Sequence, residues 1–122
     1  MELYTDLQFL IMKYIITESR LDKVIFRYLD NKLNGVKKKR GEYCDIVLSF
    51  PGEEYGLIGW KKPSQLFTYY EIVGGVKTMF SMDEFDALDA IGRYVESRYN
   101  LEVNYDRSKF LPSNEWLKVD SY

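Results

Sequence analysis

Hydrophobic residues change their spacing twice along this chain, and the change dictates a mixture of helix and sheet. Up to Gly35 they recur every three or four positions. From Cys44 to Phe80 they alternate in twos, and from Ser81 the helical spacing returns. A helix buries a stripe and a half-buried strand buries every second residue, so the same 122 residues must form both. Pro51, Pro63 and Pro112 each fall at a boundary between periodic segments, and no linker-like stretch divides the chain. The expectation is one α+β domain over 1–122.

Thr5 and Gln8 have capping-box spacing with Tyr4 and Phe9 as a staple, which predicts a first helix bearing Leu7, Leu10, Ile11, Tyr14 and Ile15 on one face. Leu21, Val24, Ile25, Tyr28, Leu29 and Leu33 resume helical spacing as far as Asn34-Gly35, although Val24-Ile25-Phe26 has strand-forming types, so 21–33 is open to either state. Lys37 to Gly41 reads as a solvated loop.

In the middle, Cys44, Ile46, Leu48 and Phe50 alternate with Tyr43, Asp45, Val47 and Ser49, a strand with one buried face. Tyr55 to Trp60 is a second strand, whose Gly56 and Gly59 mark a bulge or a close backbone approach. Leu66 to Val73 is a third, and Gly74-Gly75 predicts a two-residue hairpin turn into Val76 to Phe80.

Ser81 and Glu84 then form a capping box within a Phe80–Phe85 staple. Phe85, Leu88, Ile91, Val95 and Tyr99 make a buried stripe, with Asn100 as the C-terminal cap. Short strands are expected at Leu101, Val103 and Tyr105 and near Trp116, Leu117 and Val119. The assembled expectation is an N-terminal helix or helix pair, a largely antiparallel sheet of about four to six strands, and one long late helix packed on one face.

Composition narrows function mainly by what it removes. Without histidine there is no Ser-His-Asp or Cys-His machinery and no ordinary zinc site. Cys44 is the one cysteine, so no disulfide or Cys-x-x-Cys pair can form within the chain. No glycine-rich phosphate loop is present, since Gly74-Gly75 matches neither nucleotide-binding pattern. These absences point away from an enzyme, a metal and a cofactor. The apolar run from Phe9 to Ile16 is broken by Lys13 and is too short to span a bilayer. With Glu2 and Asp6 at the start unlike a secretory signal, a cytoplasmic protein without membrane contact is expected.

Charge is divided. Residues 1–40 hold 9 basic and 5 acidic side chains, net +4, and residues 41–122 hold 8 and 14, net −6. The basic run Lys37 to Arg40, with Lys61 and Lys62, could grip phosphates while Tyr43 or Trp60 stacks on bases. The overall net charge of −2 and the lack of a nucleic-acid motif weigh against it. Asp83, Glu84, Asp86 and Asp89 open the late helix. The helix dipole favours acids there, Asp89 can pair with Arg93 one turn on, and helical spacing alone does not build a metal cage.

Aromatic residues make up 16% of the chain, more than a core needs at every position, and acids recur beside tyrosines. Tyr69 shares a strand face with Glu71, and Tyr55 follows Glu53-Glu54. Rigid amphipathic rings rimmed by charge are interface composition. Glu53, Glu54, Tyr55, Tyr69, Glu71, Asp83 and Asp86 are therefore the expected partner-binding residues.

The helix from Thr5, the aromatic segments Tyr43 to Phe50 and Leu66 to Phe80, and the late helix Ser81-Met82-Asp83-Glu84-Phe85-Asp86-Ala87-Leu88-Asp89-Ala90-Ile91 together resemble the plan of bacterial immunity proteins against polymorphic and contact-dependent toxins. The resemblance covers architecture across most of the chain. It implies a non-catalytic inhibitor that binds a cognate protein toxin, presenting acids to a basic nuclease surface. Two alternatives fit the same residues: a nucleic-acid-binding or regulatory module using 37–40, and a small phage-encoded inhibitor of a host defence system.

Overall fold

The computed structural model describes residues 20–120. The helix predicted from Thr5 lies outside the described residues.

Helix α1 occupies 20–32, which resolves the open choice at 21–33 in favour of helix. The deciding geometry is the spacing of four between Ile25, Leu29 and Leu33, all buried, while Val24 stays half exposed. A strand would also have put Ile25, Leu29 and Leu33 on one face, but with Arg27 and Asn31 between them, and both of those are exposed. Gly35, at φ 92°, turns the chain out of the helix.

Strands β1 (Lys37–Lys39), β2 (Ile46–Ser49), β3 (Ile58–Lys61) and β4 (Gln65–Tyr69) form an antiparallel meander, and β5 (Lys109–Leu111) joins it parallel to β4. The sheet is thus mixed, with five strands in chain order. β1 corrects the expectation of a loop at 37–41. It is an edge strand, where lysines deter pairing with another chain. Its middle residue also closes a helix: Lys38 Nζ donates to the Tyr99 carbonyl at 3.3 Å, at the negative end of the late helix.

The largest correction concerns 66–80. The strand ends at Tyr69, and Tyr70–Phe80 is helix α2, running through Gly74 and Gly75 where a hairpin turn was expected. Neither glycine has a positive φ. Gly75 instead lets α2 approach α1, because a Cβ there would meet the Tyr28 hydroxyl. Val73 and Val76 are fully buried against the sheet, and a gap of three is helical spacing.

Helix α3 (Glu84–Tyr99) begins later than its predicted capping box. Ser81, left-handed at φ 50°, closes α2, and Asp83 caps α3, its carboxylate accepting from the Asp86 N–H at 2.8 Å. Asn100 ends α3 in the left-handed conformation, as expected. The segment 101–104 is not a strand. Its turns are held by Trp60 Nε1 donating to the Glu102 carbonyl at 2.8 Å and by Asn104 N–H donating to the Ser64 carbonyl at 2.9 Å. Tyr105 lies in a single 3₁₀ turn and its hydroxyl meets Glu96. Near the end of the chain the expected strand is a 3₁₀ turn at Glu115–Leu117 followed by isolated bridges, Tyr55 to Lys118 and Gly41 to Val119.

Two apolar clusters result. Ile25, Leu29, Leu48, Ile58, Leu66, Val76, Ile91 and Val95 fill the space between the three helices and one sheet face. Cys44, Val47, Leu111 and Leu117 form a second cluster on the other face. Val47 and Ser49, expected on the solvated side of β2, are therefore fully buried. Gly59 permits this cover, since a Cβ there would stand 2.6 Å from Leu117 Cδ2 and 2.7 Å from Cys44 Sγ. The close approach expected at this glycine is what the fold uses. Among the described residues no helix is long and apolar enough to cross a membrane.

Candidate functional site

The first turns of α3 leave an aromatic ring unburied among acids. Ala87, Leu88, Ile91, Tyr94 and Val95 turn inward. Phe85 stands six residues before Ile91, about 120° round the helix axis from it. It is 77% exposed, so it is neither a staple nor part of the buried stripe. Asp86 and Asp89 occupy the same outward arc, one turn apart, and Asp83 caps the helix beside them.

Among the described residues, none of Asp83, Asp86 and Asp89 forms an ion pair. Arg93, the expected partner of Asp89, reaches instead to Asp22 on α1 with a two-pronged contact of 2.9 and 3.0 Å. Partial burial raises the Asp89 carboxyl above the usual carboxylate range. Arg93 opposes that shift, and Asp86, Asp106 and Asp83 reinforce it. Three carboxylates thus act on Asp89, Asp106 being supplied by the 3₁₀ turn at Tyr105–Arg107.

The seven predicted residues fall into two groups. Glu53, Glu54 and Tyr55 lie in the β2–β3 connection, where the Glu54 carbonyl accepts from Val119 N–H at 2.8 Å and its carboxylate lies 3.8 Å from Lys118 Nζ. Tyr69 ends β4, its ring edge-on to Tyr70 at 4.7 Å and packed against the second apolar cluster. Glu71 is exposed in the first turn of α2. The Tyr69 N–H donates to the Leu57 carbonyl at 3.0 Å, so these five share one end of the sheet. Asp83 and Asp86 lie beyond the far end of α2, about 16 Å of helix away.

Phe85, Asp89 and Asp106 were not among the expected binding residues. The signal for Phe85 was available: 85 lies off the arc centred on Ile91. Asp106 is adjacent only through the return of the chain after α3, which spacing does not encode. No group of three or more metal-ligating side chains is assembled among the described residues. Cys44 is buried in the second cluster, and desolvation pushes its thiol up to about 11, which keeps it protonated at neutral pH. The arrangement offers recognition by shape and charge. Comparison with family models finds no match, and searches of curated proteins and of solved structures find none either.

Proposed function

We propose that this chain is a non-catalytic inhibitor that binds a protein partner through the start of α3, in the manner of an immunity protein against a bacterial toxin. The observation that carries the reading is the 77% exposed Phe85 among Asp83, Asp86 and Asp89. An aromatic side chain left in water and rimmed by charge has the form of an interface anchor. The ring supplies desolvation energy on docking, and the acids steer encounter with a basic surface. A partner of that kind would be a nuclease whose active site carries the lysines and arginines that grip phosphates. Covering it blocks substrate without bond making.

The test is co-expression with toxin domains encoded by neighbouring genes, scored as rescue of growth. Rescue that is lost with Phe85→Ala, while the variant accumulates and melts like the parent, supports the reading. Failure to rescue with any neighbour, or rescue indifferent to Phe85, overturns it.

A further inference from the structure

Among the described residues, the C-terminal segment covers only part of the sheet face opposite the helices. Beside it lies a groove of about 300 Å³, with Cys44 and Leu111 at its floor and Phe67 in its wall. Tyr43 and Trp116 stand over it edge to face, ring centres 5.0 Å apart, each about half exposed. Trp116 is held in place from behind, its carbonyl accepting from Cys44 Sγ at 3.5 Å. Lys61 and Lys109 reach the groove from β3 and β5, and neither forms an ion pair among the described residues.

We infer that this groove binds a single strand of nucleic acid, its bases stacking on Trp116 and Tyr43 and its phosphates meeting Lys61 and Lys109. Three aromatic rings in one shallow groove offer flat π surface, which suits a planar base better than an extended peptide. Stacking of this kind is indifferent to sequence and demands unpaired bases, because a duplex buries its own ring faces. Charge extends beyond one phosphate. Lys39 and Lys109 end the cross-strand row Lys39, Val47, Gly59, Phe67, Lys109, four strand spacings or about 19 Å apart. Val47 and Gly59 in the middle of that row lie under Leu117, so the phosphate contacts of a strand seated in the groove are those beside it, Lys61 and Lys109. Acids are not confined to α3: Asp45 acts on Cys44 at the groove floor, though less than Lys61 does, and its carboxylate accepts from the Lys62 N–H at 2.7 Å. The basic run at 37–40 lies in and beside the edge strand β1, with Lys38 engaged on the Tyr99 carbonyl, and the stacking partner of Tyr43 is Trp116. Trp60, considered from sequence, is tied to Glu102 on the helix side.

The probe is a fluorescein-labelled twelve-nucleotide oligo(dT), titrated with the full chain and read by fluorescence anisotropy. The expected result is saturable binding that weakens tenfold or more in the Lys61→Gln/Lys109→Gln double variant and in Trp116→Ala. It should be largely retained in Trp116→Phe, which keeps a ring. The Lys23→Gln/Lys32→Gln double variant removes the same charge from α1, outside the groove, and should bind like the parent. Raising salt from about 50 to about 200 mM should cost roughly sevenfold for two phosphate contacts. Absence of saturation at roughly 1 mM protein, about ten times the weak end of non-specific affinities, overturns the inference. So does a loss that is equal in the groove and α1 double variants, or displacement of the oligonucleotide by polyglutamate as readily as by unlabelled strand, which would mark a site for acidic peptide. Parent-like circular dichroism and melting of each variant separate loss of binding from loss of fold. None of these outcomes touches Phe85, so this site and the proposed partner face stand or fall separately.

Discussion

Arg93 on α3 grips Asp22 on α1 through two parallel contacts, Nε to Oδ2 at 2.9 Å and Nη2 to Oδ1 at 3.0 Å. The pair joins α1 and α3, and among the described residues Asp89 forms no ion pair of its own. Both side chains are partly solvated, which limits its energetic value. A double-mutant cycle with Arg93→Ala and Asp22→Ala should return a coupling of about 1 kcal/mol, the upper end for surface pairs, because the geometry is two-pronged. Urea unfolding measures it. A coupling near zero would mean the contact is incidental.

Asp30 makes the neighbouring tie between the same helices, accepting from Arg98 at 3.1 Å and from the Tyr94 hydroxyl at 2.8 Å. The Arg98 hydrogen bond, helped by Tyr94, holds the Asp30 carboxyl below the usual carboxylate range despite some burial. A lowered carboxyl adds stability that is complete above the ordinary value of about 3.9 and is lost as pH falls through the folded value. Asp30→Asn should therefore lower the melting temperature at pH 7, and the difference from the parent should shrink as pH drops below about 4. Melting curves across acid pH decide this, and a difference constant with pH would contradict it.

Gly74 separates the helical from the hairpin arrangement at 70–80. In α2 the position has open space around it and an ordinary φ, so Gly74→Ala should stabilise by about 0.5–1 kcal/mol through the unfolded chain. At a hairpin turn of the type expected from Gly-Gly, alanine would meet a positive φ and destabilise instead. Chemical denaturation gives the sign directly.

At the partner face, ring and charge should separate kinetically. Phe85→Ala should speed dissociation about tenfold or more if the ring is an anchor. Asp86→Asn with Asp89→Asn should mainly slow association and flatten its salt dependence. Asp83 is unsuitable for that comparison, because removing the α3 cap costs about 1 kcal/mol in its own right. Surface plasmon resonance with the purified partner, beside melting temperatures, checks both effects.

Local residue chemistry was enough for the elements whose partners lie within the same stretch. The α+β mixture, α3 with its Leu88–Ile91–Val95 stripe and Asn100 cap, and the strand at Ile46–Ser49 all follow from spacing and caps. Tertiary contact decided the rest. Residues 70–80 read as strand–turn–strand from the chain alone, whereas Tyr28 on α1 and the sheet beneath give α2 somewhere to pack, and Ser81 is then taken as its cap. Likewise Val47 becomes interior because Leu117, some seventy residues later, folds over Gly59. The composition of the binding faces, acid beside aromatic, was legible in the chain. The exposure of Phe85 followed from its place off the arc centred on Ile91, but that of Trp116 did not, because it depends on where distant segments end their cover, and that is a property of the packed molecule.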